Sequence, residues 1–162
     1  MEVFEAVQTV LAVRSYQDKP LPREVVQRIV EAGRLTGSSM NGQPWHFIVV
    51  ENRETLRQLG ALARTGSYIA QAPLAVVVAI DKTQYAVSDA SRAIQSMILT
   101  AWAEGVGFLG MEEVKALLGI PVGLDLLGII PFGYPTQVRS QGKKRRKSLS
   151  EVAYHERFGQ PF

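Results

Sequence analysis

Gly37-Ser38-Ser39-Met40-Asn41-Gly42-Gln43-Pro44-Trp45 is the stretch on which the reading of this chain turns. It stands between a helix-patterned segment and a strand-patterned one. Its two hydroxyls and two side-chain amides offer donors and acceptors for a polar, planar ligand. The same residues, with Gly and Pro, are also the commonest turn formers, and composition alone favours a turn. Trp45 reads as a core anchor at the head of a strand.

Toward the N-terminus, Val3, Phe4, Val7, Val10 and Leu11 recur at helical spacing. A second helix is expected to begin at Pro22, whose fixed φ suits a first helical turn. Its apolar stripe is Val26, Ile29, Val30 and Gly33, with Arg23, Glu24, Arg28 and Glu31 largely on the other face. Toward the C-terminus, His46–Val50 reads as a strand, 53–64 as a helix, and Pro73–Ile80 as a strand buried on both faces. The segment 87–104 is the longest helix candidate. Ala90, Ala93, Ile94, Met97, Ile98, Ala101 and Trp102 cover so much of its circumference that it belongs in the interior or in a subunit interface. Short apolar pieces at 106–109 and 127–132 are separated by an expected helix near 112–118, and a last helix is expected over 149–157. Helices and strands alternate irregularly, which points to an α+β fold with one central sheet. No repeat or linker divides the chain, so residues 1–162 are expected to form one domain.

Composition narrows the chemistry. Hydrophobic residues make up 46% of the 162 and charged residues 20%, which excludes a disordered chain. The longest apolar run, Ala72 to Ile80, falls short of the roughly 18 residues that span a membrane. The acidic start Met1-Glu2-Val3-Phe4-Glu5 does not resemble a signal peptide, and a cytoplasmic location is expected. No cysteine and only His46 and His155 argue against disulfides and multi-ligand metal centres. Gly-x-Ser-x-Gly, Gly-x-Gly-x-x-Gly and Walker patterns are missing from the sequence. Difficult chemistry would therefore need a borrowed cofactor. Residues 136–162 hold seven Lys or Arg against two acids, so the net charge of +3 arises from this tail and the rest is slightly acidic. The run Lys143–Lys147 suits a phosphorylated ligand, a polyanion, or only a solvated loop.

At the opening stretch the sequence resembles the flavin-dependent nitroreductase family, whose signature there is Pro-Ser-Ser-x-Asn-x-Gln-Pro-Trp. The likeness continues through Arg14-Ser15-Tyr16-Gln17-Asp18-Lys19-Pro20-Leu21, through Ala72-Pro73, and through Asp89 to Gly107, which is similar to the family's dimer-interface helix. Gly133-Tyr134-Pro135 followed by Lys143–Lys147 is similar to its last strand end and basic phosphate-binding segment.

The resemblance implies a central mixed sheet flanked by helices, in an intertwined homodimer with FMN at the interface. It implies an oxidoreductase that takes electrons from NADH or NADPH and passes them to a small electron-poor acceptor by a ping-pong mechanism. Ser38, Ser39 and Asn41, with Gln43 beside them, would approach the partner's flavin. Arg14 would face the N1–O2 edge of the ring, and Arg145 and Lys147 the phosphate. No side chain need act as acid or base, and neither nucleic acid nor membrane is an expected partner.

The departures are as specific. Where the family carries Arg-Arg-Ser before the Arg14 position, this chain has Val10-Leu11-Ala12. Losing a charged and a neutral phosphate contact corresponds to roughly 2–4 kcal/mol, or about two orders of magnitude in affinity. The signature's Pro is Gly37, and the stretch after Gly105-Val106-Gly107 is short. The alternatives are a degenerate relative with weak flavin turnover and a polyanion-binding module using Lys143–Lys147. Against the latter, no aromatics interleave the run.

Overall fold

The computed structural model of the chain describes residues 1–63, 67–105, 107–108, 115–137 and 144–160. Along it run α1 (Val3–Thr9), α2 (Arg23–Arg34), β1 (Trp45–Val50), α3 (Arg53–Leu62), β2 (Leu74–Ile80), α4 (Ala86–Ala103), β3 (Gly107–Phe108) and β4 (Asp125–Gly133). β2 is buried along its whole length, as its unbroken apolar run predicts. Its side chains alternate between two cores. Leu74, Val76, Val78 and Ile80 join α2 and α4, whereas Ala75, Val77 and Ala79 join Leu56 and Leu59 of α3.

The strand order is β1-β2-β4-β3, with Phe47 opposite Val78 and Val77 opposite Ile129. Every described ladder is antiparallel, where a mixed sheet was expected. The connection from β1 to β2 shows why. A parallel pair needs a helix that traverses the sheet, but α3 doubles back on the turn Ser67–Gln71. Gly60 permits this approach, since a Cβ there would stand 2.8 Å from the Ala70 amide nitrogen.

α4 is the long interior helix that its composition demands. Ala90, Ala93, Met97, Ile98, Ala101 and Trp102 are buried, Ile94 is half-buried, and Ser91, Arg92 and Gln95 form its exposed stripe. Gly33 of α2 lies so close to α4 and β1 that a Cβ would meet both Met97 and Phe47 at 3.0 Å.

Other sequence expectations also differ: α1 ends at Thr9, before the Val10 and Leu11 of its expected pattern. Pro22 caps α2 and does not open it. Residues 115–119 form a turn, and the rest of the helix expected near 112–118 lies outside the described residues. The expected helix over 149–157 is a single 3-10 turn, Leu149–Glu151, capped by Ser148 and Glu151. Short helices draw their stability from packing, and Leu149, Val152 and Phe158 are all exposed here. Among the described residues no helix is long and apolar enough to cross a membrane.

Candidate functional site

The signature loop begins where α2 ends. The Thr36 hydroxyl lies within hydrogen-bond distance of the Ala32 carbonyl (3.0 Å) and of Ser96 Oγ on α4 (2.8 Å), which fixes the loop's start. Met40, Asn41 and Gln43 then adopt left-handed φ values of 51°, 54° and 45°. Each costs a non-glycine residue on the order of 1 kcal/mol, so the loop must be held by its surroundings. Within it, Ser38 Oγ accepts from the Gln43 amide (2.9 Å) and the Gly42 amide donates to the Ser39 carbonyl (3.0 Å).

The outer anchor is Asp89, in the first turn of α4 and only 2% exposed. Its carboxylate accepts from both the Ser39 amide and the Ser39 hydroxyl, each at 3.0 Å, and also pairs with Arg92. Burial alone would raise this carboxyl. The Ser39 bonds and the Arg92 guanidinium more than reverse that, and hold it below its ordinary range. Ser39 is thus engaged in holding the loop. Asn41 is exposed: its Oδ1 accepts from Gln43 Nε2 (3.2 Å), and its Nδ2 has no partner among the described residues. Met40 stands 89% exposed beside a cavity of about 210 Å³ lined by Ser39, Pro44, Tyr85 and Asp89. Trp45 is buried and stacks with Phe47, as a core anchor should.

A second group gathers elsewhere. Residues 15–17 pair with 134–136: the Gln17 amide donates to the Tyr134 carbonyl (2.8 Å) and the Thr136 amide to the Ser15 carbonyl (3.2 Å). Gly133 is required by contact, because a Cβ would lie 2.6 Å from the Pro73 ring and 2.8 Å from Tyr16. Tyr16 is buried, its hydroxyl donating to the Val13 carbonyl (2.9 Å), and burial pushes its phenol far above the ordinary range. Arg14 beside it is exposed and has no hydrogen bond or ion pair among the described residues.

The basic run reaches the C-terminal end of α1. Lys144 Nζ donates to the Val7 carbonyl (2.6 Å), and partial burial, with Arg146 nearby, lowers its ammonium. Arg146 donates to the Arg145 carbonyl (3.0 Å). The side chains of Arg145 and Lys147 are exposed and unpaired among the described residues, and Lys143 lies outside them. Trp102 Nε1, in the last turn of α4, donates to Thr9 Oγ1 (2.9 Å) and ties this end of α1 to α4.

The signature loop and the basic run therefore lie toward opposite ends of one helix, the first held by Asp89 and the second through α1 by Trp102. Asp89 and Trp102 are thirteen positions apart, about 20 Å along the axis at 1.5 Å per residue. Among the described residues no hydrogen bond or ion pair joins Ser38, Ser39, Asn41 or Gln43 to Arg14, Arg145 or Lys147. Sequence reasoning named these seven but missed the anchoring roles of Asp89, Thr36 and Trp102. The signal for Asp89 was the single acid of a largely apolar helix, standing in its first turn.

Comparison with known proteins agrees with the loop and its order in the chain. Residues 11–81 match the family model described as the Nitroreductase family. A Methanothermobacter thermautotrophicus protein whose name describes it as an NADH dehydrogenase/NAD(P)H nitroreductase is 32% identical over 151 residues, covering 85% of this chain and 79% of that one. A Parabacteroides distasonis protein of the same name has a solved structure that is 25% identical, with a TM-score of 0.88, over 96% of this chain and 98% of that one. A Desulfovibrio desulfuricans nitroreductase structure in complex with FMN is 26% identical, with a TM-score of 0.84, over 98% of both chains. With its signature loop, its long interior helix and its sheet all matched at this level, the chain belongs to the nitroreductase family.

Proposed function

We propose that the chain is an FMN-using NAD(P)H oxidoreductase acting as a homodimer, with each flavin held between the two subunits. The separation of the two groups along α4 carries this reading. Within one chain the loop and the basic run lie toward opposite ends of α4, and two such helices crossing antiparallel would bring the loop of one chain beside the basic run of the other. Phe4 (71% exposed) on α1 and Phe158 (90% exposed) in the tail leave apolar surface that a second subunit would cover. An interface above roughly 2,000 Å² is expected for such a permanent pair.

The donor set suits FMN. Arg145 and Lys147 carry free positive charge for the phosphate. Arg14 would present a guanidinium to the pyrimidine edge of the ring, where it would stabilise negative charge on the reduced cofactor. Ser38, Asn41 and Gln43 supply hydroxyl and amide contacts from the partner, and Ser39 keeps them in place through Asp89. When bound, the flavin supplies hydride acceptance from the nicotinamide and electron delivery to a nitroaromatic, quinone or similar acceptor. The protein orients the reactants and needs no side chain as acid or base. Donor and acceptor would use one face in turn, giving ping-pong kinetics, within one domain spanning the chain and in the cytoplasm.

The test is a titration of purified protein with FMN, followed by oxidation of NADH and NADPH in the presence of a quinone. Quenching of flavin fluorescence and parallel lines in double-reciprocal plots are expected. Protein that binds neither FMN nor riboflavin at 100 μM would end this reading.

A further inference from the structure

Resting on the reading just given, we infer that Asp89 is a positioning residue for the flavin: it takes both polar hydrogens of Ser39, leaves that side chain an acceptor only, and so biases the bound flavin toward its reduced form. The carboxylate accepts the Ser39 amide at Oδ2 and the Ser39 hydroxyl at Oδ1, each at 3.0 Å. A serine hydroxyl has one hydrogen and two lone pairs, so this bond leaves Ser39 Oγ nothing to donate. Its direction is fixed. Asp89 is 2% exposed, and the Ser39 bonds and Arg92 hold its carboxyl below the ordinary range, so at neutral pH it is ionised and can only accept. Ser38 is arranged the opposite way. Its Oγ accepts from the Gln43 amide (2.9 Å), and its own hydrogen has no acceptor among the described residues. Asn41 Nδ2 likewise keeps its hydrogens, because Gln43 engages Oδ1. The loop thus presents donors at Ser38 and Asn41 and an acceptor at Ser39. All of these bonds lie within one chain and need no partner subunit to form.

The two oxidation states of an isoalloxazine differ in what they offer such a loop. The oxidised ring has lone pairs at N1, O2, O4 and N5 and a single polar hydrogen, on N3. Two-electron reduction places a further hydrogen at N5. An acceptor-only serine therefore gains a possible partner on reduction, whereas a hydroxyl free to rotate would serve both states. Facing a lone pair, it leaves two polar atoms unpaired, and that cost falls on the oxidised form. An amide in place of the Asp89 carboxylate can donate to Ser39 Oγ and release its hydrogen toward the ring. The same serine would then be a donor, and the bias would reverse.

The experiment reads the midpoint potential of bound FMN, by anaerobic reduction against a reference dye. The FMN-loaded wild type is compared with Ser39→Ala, Asp89→Asn and the two combined. Ser39→Ala removes the acceptor but keeps the amide bond to Asp89 Oδ2. It should lower the ratio of reduced to oxidised affinity by about tenfold, as for one neutral hydrogen bond, which is about 30 mV for two electrons. Asp89→Asn also removes a charge paired with Arg92, and that change acts whether or not Ser39 is present. The double-mutant cycle cancels it. Asp89→Asn should therefore lower the potential by about 30 mV more with Ser39 in place than in the Ser39→Ala background. An anchor and nothing more would weaken both oxidation states equally, so melting temperature and FMN affinity would fall with the potential unmoved. If Asp89→Asn does not fold, Ser39→Ala decides alone. A Ser39→Ala potential within about 10 mV of wild type, or an Asp89→Asn shift equal in both backgrounds, overturns this inference and leaves the flavin enzyme standing. Failure to bind FMN in either oxidation state removes both.

Discussion

Replacing Asn41 in two ways separates its conformational role from its ligand role. At φ 54°, an alanine costs roughly 1–2 kcal/mol for its Cβ. A glycine is free of that cost but loses roughly 0.5–1 kcal/mol in chain entropy. Both variants lose the same exposed bond, Gln43 Nε2 to Asn41 Oδ1 at 3.2 Å. Asn41→Gly should therefore be more stable than Asn41→Ala by about 0.5–1 kcal/mol, or about 2 °C in melting temperature. Flavin affinity should follow a different rule. Both substitutions remove the amide that would meet the ring, so both should weaken FMN by about 1–3 kcal/mol, a loss of roughly 5- to 150-fold. Thermal melts give the first quantity and fluorescence titration the second. If Asn41→Gly keeps wild-type FMN affinity, the loop is only a turn and the argument for its side chains fails.

Other consequences follow from the same contacts. Gly133→Ala places a methyl against Pro73 and Tyr16, and should destabilise by about 1–3 kcal/mol, seen as a lower denaturant midpoint. Asp89 has its carboxyl lowered in the fold, so its contribution is fully present above the ordinary carboxylate range and disappears as pH falls through the lowered value. The gap in melting temperature between wild type and Asp89→Asn should be widest near neutrality and close in acid below that range; a gap that widens in acid would contradict the anchor. Sedimentation equilibrium at micromolar concentration should show a dimer, and a folded monomer there would remove the shared site.

What the sequence revealed and what it hid divide along a physical line. β2 and α4 were legible because burial on all sides leaves an unbroken or nearly encircling apolar pattern. The loop was legible as a motif but not as a structure. Whether Ser39 faces a ligand or an anchor depends on Asp89, fifty residues away, and no local pattern encodes that pairing. The 149–157 segment misled for the opposite reason. Its local spacing suits a helix, but Leu149 and Val152 are left exposed and lend it no core face. The strand directions were likewise hidden, because the doubling back of α3 on 67–71 between β1 and β2 rests on a tertiary contact, the close approach of Gly60 to Ala70.

Subunit complementation tests the divided site most directly. Asn41→Gly disables the loop end and Arg145→Ala with Lys147→Ala disables the basic end, each leaving the other end intact. Equal amounts of the two variants are mixed, unfolded, refolded together and titrated at low salt with FMN, each parent being treated alike. Random pairing makes half of the dimers mixed, and each mixed dimer holds one site with both ends wild type. About one quarter of all sites should then bind FMN with wild-type affinity, although neither parent has any. A refolded mixture that binds only as the average of its parents would contradict the account, because each site would then be built from a single chain.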